Sequence, residues 1–319
     1  MELNLNRSFL LRYILQFLIA VVFIISSYLK LYPIEPFELT LVDSGLISWT
    51  LAPYIARILI SLEAIIGIAL LVNTRFSIYF LKSALYLTLF FCVYLLLLWY
   101  FRGNDINCGC FGNNFAMTPV ESLLKNAVIL LITLLAIRLY KPNNFGLGRL
   151  YVIGSLVLLG LPFILNPLAS FHSSPDNTEY PYKFDTELIP DSIYQQVPKN
   201  LLKGEHLVAF LSVTCPHCRV AAQKIRVANQ ELDIPPVFAF FIGDESKMAD
   251  FEFESGTKLN YIMYRDNSFF KFNNGVLPTV LLVKDGQVLR RWSGGSFNYD
   301  EIAKIPTYLQ YEDLPSSLE

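Results

Sequence analysis

Five stretches of nearly unbroken apolar residues, roughly 11–32, 53–72, 77–100, 119–140 and 149–168, occupy the first half of the chain. Each approaches or exceeds the ~20 residues that carry a helix across a bilayer's hydrocarbon core, so five membrane-spanning helices are predicted. The first is too long, and too closely followed by further spans, to be a cleaved signal peptide. From about His172 the pattern changes. Ser173, Ser174, Pro175, Asp176, Asn177 and Pro181 form a polar, proline-punctuated tether. Beyond it, short apolar runs alternate with amphipathic ones: strands at 206–213, 237–242, 261–264, 279–283 and 287–292, helices at 218–232 and 299–309, and a turn at Lys284-Asp285-Gly286. The predicted fold class is a membrane all-α helical bundle, four helices plus a fifth connecting span, followed by an α/β domain. The expected divisions are 1–148 for the bundle, 149–170 for the fifth span, 171–184 for the linker and 185–319 for the α/β domain.

Composition agrees with this picture. Of 319 residues 54% are hydrophobic and only 16% charged, which is too apolar for an ordinary soluble chain. The net charge of −2 and the lack of a basic block set nucleic-acid binding aside. Lysine and arginine fix the expected orientation, because positive loops resist translocation. Arg7 and Arg12 precede the first span, Arg75 and Lys82 flank the second turn, and Arg138, Lys141 and Arg149 flank the fourth. Those ends belong inside. The loops holding Glu35, Glu38 and Asp43, and Asp105 against Arg102, carry little excess positive charge and belong outside. Five spans then bring the α/β domain to the outer face of a bacterial-type inner membrane, the side that also holds the loop after the third span.

Cysteine chemistry gives the chain its candidate function. Cys108 and Cys110 lie in that outer loop, Cys215 and Cys218 at a strand–helix junction, and Cys92 stands alone as an apolar filler. A CxxC at a helix start exposes the first sulfur to free N–H groups that favour the thiolate, while the second can resolve a mixed disulfide. Pro216 suits the first turn, and His217 adds positive charge beside Cys215. The bland alternatives are a structural disulfide or half of a zinc site, which needs about four ligands. Cys108-Gly109-Cys110 can close only a small, easily reduced ring, with Gly109 supplying the backbone freedom. A labile disulfide beside the bilayer suits electron transfer to a lipid-soluble quinone; a Cu(I) site or a structural bridge are the competing readings. Glu63, ten residues into the second span, is an intramembrane carboxyl fit for proton handling or for a hydrogen bond to a neighbouring helix. Lys30 is a snorkelling span-end residue or a quinone contact. His172 reads as linker and His206 as a strand start.

The strand, the Cys215-Pro216-His217-Cys218 helix, and Val276-Leu277-Pro278-Thr279 entering a strand and hairpin resemble the thioredoxin superfamily over roughly 195–310. That resemblance implies a cis proline at Pro278 beside the disulfide, with Leu277 and Thr279 framing the substrate groove, and no cofactor in this domain. The Pro-His dipeptide resembles that of periplasmic disulfide oxidases more than the Gly-Pro of reducing thioredoxins. Thr214 and Ala209 depart from the family pattern, which has tryptophan and a buried acid at those positions. Over about 10–140, the string Cys108-Gly-Cys-Phe-Gly112, the Ser27-Tyr-Leu-Lys30-Leu31 segment with Pro33 and Phe37, and Glu63 with Gly67 resemble the MauE branch of the DoxX-like membrane proteins. That resemblance implies redox association, since MauE is tied to maturation of a disulfide-rich subunit of methylamine dehydrogenase. The architecture is also similar to that of fused enzymes of the vitamin K epoxide reductase type.

Together these features predict a membrane thiol–disulfide oxidoreductase linking exported cysteine-containing clients, Cys215/Cys218, Cys108/Cys110 and a membrane quinone. Two other readings stand beside it. One is a reductase or isomerase of exported thiols, although lone Cys92 offers no paired cysteine route from the cytoplasm. The other is a copper-binding or client-holding maturation factor without turnover. No metal site is expected for the leading reading.

Overall fold

The computed structural model describes residues 7–72, 74–113, 115–141, 148–168, 178–198, 201 and 203–310. The chain divides into two compact units, Met1–Leu168 and Ala169–Glu319. Asn114, His172 and the tether through Asn177 lie outside the described residues.

The first unit runs α1 (Arg7–Leu31), α2 (Glu35–Asp43), α3 (Ala52–Val72), α4 (Ser77–Arg102), the short strand β1 (Cys110–Asn113), α5 (Pro119–Arg138) and α6 (Gly148–Leu165). Among the described residues, α1, α3, α4 and α5 are long and apolar enough to cross a membrane. Their outward faces expose Tyr86, Tyr100, Leu124 and Leu131, an apolar surface that a bilayer covers. The fifth expected span is α6, whose 18 residues extend ~27 Å at 1.5 Å per residue, just under a bilayer core. Its described apolar run, Ile153–Leu165, is shorter than the other spans.

Helix α3 is the hub of this unit. Its Gly67 lies so close to α1 that an added Cβ would sit 2.7 Å from Ile24 Cγ1 and 3.0 Å from the Ala20 carbonyl, the small-residue approach that lets membrane helices pack backbone to backbone. Ser61 Oγ donates to the Leu159 carbonyl of α6 at 3.2 Å, and Arg57 Nε donates to the Asn166 carbonyl just beyond its end at 2.9 Å. The cation caps a negative helix terminus. Arg57 also pairs with Glu38 at 2.6 Å, which fixes α2 to α3. Sequence pattern placed a loop where α2 stands. Its buried Phe37, Leu39, Thr40, Leu41 and Val42 show why it is helical: the segment is a wedge packed into the bundle rather than a solvated connection.

The second unit contains β2 (Tyr182–Lys183), α7 (Asp191–Tyr194), β3 (Glu205–Ser212), α8 (Pro216–Glu231), β4 (Val237–Ile242), α9 (Met248–Ser255), β5 (Asn260–Met263), α10 (Phe269–Asn273), β6 (Thr279–Lys284), β7 (Gln287–Ser293), α11 (Tyr299–Ile302) and α12 (Ile305–Gln310). The sheet order is β2-β7-β6-β3-β4-β5. Strands β3, β4 and β5 are parallel, so α8 and α9 serve as the crossovers that parallel neighbours require. Strands β6 and β7 form a hairpin whose turn residues Asp285 and Gly286 have φ of 47° and 79°, the positive pair a tight two-residue hairpin turn demands. Strand β2 pairs with β7 and Phe184 joins the core, so this unit begins inside the stretch assigned to the linker. The expected last helix is broken into α11 and α12, with Pro306 in the first turn of the second. Phe210 stacks on Phe240 at 5.3 Å and on Phe272 at 5.1 Å at the centre of an aromatic core that holds the site-bearing strand rigid.

Candidate functional site

In the second unit the strand that ends at Ser212 turns into α8 through Val213 and Thr214, placing Cys215 at the helix N-cap and Pro216 at its first position. Cys215 is partly exposed between exposed Thr214, Pro216 and His217, whereas Cys218 is fully buried. The Ser212 N–H donates to Cys218 Sγ at 3.4 Å, and the Cys218 N–H donates to the Cys215 carbonyl at 3.1 Å. The acidity of the two thiols is split chiefly by the hydrogen bond between them. A hydrogen bond from Cys218, aided by the N–H groups of Cys218 and His217 and by His217's charge, draws the Cys215 thiol down to about 6 against the effect of burial. The same sulfur–sulfur contact and burial push Cys218 up. The exposed sulfur is therefore the nucleophile and the buried one the resolver in chemical capability.

The Leu277–Pro278 peptide bond is cis. Strand β6 pairs with β3 in the register Phe210↔Thr279, and continuing that register sets Pro278 opposite Leu211 and Leu277 opposite Ser212, three residues before Cys215. Thr279 is buried, with its hydroxyl donating to the Val276 carbonyl at 2.9 Å and within 3.2 Å of Ser293 Oγ. Ala209 is buried between Ala239 and Val280, so β3 offers no proton-accepting acid there. Exposed Thr214 puts no indole over Cys215.

In the first unit, the loop after α4 folds back into the bundle instead of standing above it. Cys108 and Cys110 are both buried. Gly109 has φ of 67° and lies against α2, where an added Cβ would be 2.6 Å from Thr40 Oγ1. Gly112 has φ of 63° and lies against α1. Asn107 Oδ1 accepts from the Gly109 N–H at 3.1 Å and the Met117 N–H at 3.3 Å, and the Cys108 N–H donates to the Met117 carbonyl at 2.9 Å, closing the loop on itself. A capping box between Thr118 and Glu121 then starts α5. One turn on, Ser122 Oγ lies 2.9 Å from Cys108 Sγ. Here too acidity is divided. The hydrogen bond from Cys108, with the charges of Lys125 and Lys30, draws Cys110 down to about 6 despite burial, and Cys108 is raised by the same contact and by burial.

Both cysteines line a narrow cavity of about 30 Å³ that also touches Lys30, Glu63, Phe37, Phe91, Tyr94 and Lys125. Lys30 does not snorkel. It is 3% exposed and donates to Glu63 Oε1 at 2.5 Å and to Ser26 Oγ at 3.1 Å, because α3 offers a buried counter-charge closer than water. Its ammonium also stands 4.5 Å from the Phe91 ring centroid. Glu63 Oε1 further accepts from Ser26 at 3.1 Å, while buried Oε2 has no hydrogen-bond partner. Cys92 is partly buried and its thiol is in hydrogen-bonding contact with Asn126, so it is more than an apolar filler. Sequence reasoning missed Thr40, Ser122, Lys125 and Asn126. Ser122 and Asn126, four residues apart, put polar groups on one face of an apolar span, the signal that could have found them. His206 is the second residue of β3 and has no part in either site.

A helical membrane unit with a buried dithiol, joined to a thioredoxin-like α/β unit with a CxxC at a helix start, defines the class. Residues 8–139 match the family model for methylamine utilisation protein MauE, a match that ends before α6. The chain is thus a MauE-like multi-pass membrane protein with a C-terminal thioredoxin-like domain. Among curated proteins it is similar to Protein TlpB of Flavobacterium psychrophilum, at 26% identity, with 80% of this chain and 83% of that protein covered.

Proposed function

We propose that this protein is a membrane thiol–disulfide oxidoreductase that accepts electrons from exported client thiols at Cys215/Cys218, passes them to Cys108/Cys110 and delivers them to a quinone in the cavity of the helical unit. The observation that carries this reading is the repeated device of two dithiols, each with one thiol drawn down to about 6 and its partner raised. Similarity to MauE and to TlpB supports the association of such a membrane unit with a thioredoxin-like domain. Each transfer moves two electrons. A client dithiol becomes a disulfide as Cys215–Cys218 opens, and Cys215/Cys218 closes again as Cys108–Cys110 opens.

The chemistry of the cavity lining suits a quinone headgroup, which would enter by widening the cavity. Phe37, Phe91 and Tyr94 provide ring walls, Lys30 a donor, and the unpartnered Glu63 Oε2 an acceptor for a hydroxyl. The quinone, when bound, supplies an acceptor for two electrons and two protons. Glu63 and Lys30 form a buried ion pair at that cavity.

The lysine and arginine distribution supports an inner membrane with the N-terminus inside, and therefore both cysteine pairs outside in the periplasm. Because Cys108 and Cys110 are buried, exchange with Cys215 requires the loop that carries them to open. Replacing both Cys108 and Cys110 with Ser should leave Cys215/Cys218 trapped reduced in membranes, as read by alkylation and gel shift. A Cys215–Cys218 pair that stays fully oxidised in this variant sinks the relay, and one already reduced at steady state in the unaltered protein reverses its direction to a reductase.

A further inference from the structure

Lys125 is a cation that the electron path above leaves without a role. It lies in the second turn of α5, partly buried, and lines the same cavity as Cys110. Its ammonium stands 4.0 Å from the ring centroid of Phe111, the residue next to Cys110 in β1. The other buried cations near this end of the unit are matched: Lys30 by Glu63 and Arg57 by Glu38. Among the described residues no carboxylate pairs with Lys125. A lysine within a membrane helix is costly enough to need a compensating anion or a function.

We propose that Lys125 is a positioning residue whose charge holds Cys110 as the thiolate facing the cavity, so that Cys110 is the electron-donating sulfur and Cys108 the one that closes the disulfide. This rests on the oxidoreductase reading and assigns the order of its two membrane sulfurs. Forming the Cys108–Cys110 bond releases two electrons and the Cys108 proton. With the proton Cys110 gave up on ionising, returned from water, these are the two electrons and two protons that turn a quinone into its hydroquinone. The acidity of Cys110 agrees: after its hydrogen bond with Cys108, Lys125 is the largest of the charges that lower it, ahead of Lys30. Lys30 is already neutralised by Glu63, whereas among the described residues no carboxylate pairs with Lys125. The other groups facing this thiol are Cys92 from α4, Ser122 from α5 and Cys108 itself. From α2 the neighbour is Thr40, since Glu38 is engaged by Arg57.

The test is the pH profile of Cys110 alkylation by N-ethylmaleimide in the reduced full chain, read peptide by peptide by mass spectrometry. Lys125→Gln and Lys125→Met are compared with Lys125→Arg. In the unaltered protein Cys110 should react ahead of Cys108, with a midpoint near the value of about 6 noted above. Either uncharged variant should raise that midpoint by about one unit, roughly tenfold slower alkylation below it, and Lys125→Arg should restore it. Lys125→Met suits a membrane helix and keeps the test open should Lys125→Gln misfold. Cys215 in the same molecules should keep its profile and so reports intact folding. An unmoved Cys110 midpoint in an uncharged variant, or an equal shift with Arg, overturns the proposal. A failed relay between the two pairs would leave this profile untouched, so the two failures are distinguishable.

Discussion

The two cysteine pairs share the main cause of their divided acidity, the hydrogen bond between the two thiols, and differ in what is added to it. In the thioredoxin-like unit the more acidic sulfur is the first of its pair, partly exposed at a helix start, where the hydrogen bond from Cys218 and then backbone N–H groups stabilise its charge. In the membrane unit the more acidic sulfur is the second of its pair, buried where no long helix begins, and after the Cys108 hydrogen bond the charges of Lys125 and Lys30 act where backbone donors act at Cys215. One arrangement is open to a protein thiol. The other lines a narrow cavity walled in part by Phe37, Phe91 and Tyr94. The difference teaches that CxxC and CxC are two solutions to a single problem: letting one thiol ionise at neutral pH while its neighbour keeps its proton.

The largest effects should come from breaking that asymmetry. Cys215→Ser should reduce client exchange to background, whereas Cys218→Ser should leave the nucleophile and accumulate client mixed disulfides on non-reducing gels. If the membrane pair is the mirror image, the corresponding trap there is Cys108→Ser and not Cys110→Ser. Equal trapping by both membrane variants would erase the proposed order.

Next in size is the buried ion pair. Glu63→Gln leaves the Lys30 ammonium uncompensated at 3% exposure and should cost about 3–5 kcal/mol of stability, measured by unfolding in detergent. The paired replacement Lys30→Met with Glu63→Leu should recover most of that loss while leaving electron delivery impaired. A stable double variant with full electron delivery would make the pair a packing element only.

The glycines separate the units further. Gly112→Ala must carry φ of 63° and place a Cβ 2.3 Å from the Leu29 carbonyl, so the loop has to leave α1. About 3 kcal/mol or more is expected, combining the left-handed penalty with the lost packing. Gly204→Ala in the second unit has φ of 73° but open space around it, and should cost only about 1–2 kcal/mol. Similar losses at both positions would mean that the β1 loop is not anchored on α1.

How much of this was legible in sequence depended on how local the signal was. Four spans, the strand–helix junction at Cys215 and the Asp285-Gly286 hairpin follow from apolar runs, N-cap position and turn chemistry, all contained within a few residues. The helix α2 was not legible, because Phe37, Leu39, Thr40 and Leu41 are buried by contact with α3 and with the loop of β1, neighbours distant in sequence. Lys30 was misjudged for the same reason: whether a span-end lysine snorkels depends on a counter-charge 33 residues away. The cavity that gathers Lys30, Glu63, Cys108, Cys110 and Lys125 draws on α1, α3, the loop of β1 and α5, and no periodicity within any one of them announces it.

The smallest effects concern pH, and they bear on the comparison most finely. Cys215 falls from an ordinary thiol value of 9.0 to about 6 on folding. The depressed Cys215 therefore stabilises the folded dithiol state increasingly from pH 6 to 9 and this contribution is lost as pH falls through about 6, while above pH 9 the raised Cys218 works against it. The oxidised state has no such term, so the difference in unfolding midpoint between reduced and oxidised protein should move in favour of the reduced form between pH 6 and 9. Within that shift the charge of His217 is the last-ranked cause, behind the Cys218 hydrogen bond and the backbone donors. His217→Ala should then raise the Cys215 alkylation midpoint by less than about one unit, under tenfold in rate below it. That is a smaller displacement than the one expected at Cys110 from Lys125→Gln. If His217→Ala moved its sulfur as far as Lys125→Gln moves the other, the soluble pair too would be run by side-chain charge, and the contrast between helix terminus and buried lysine would collapse into a single mechanism.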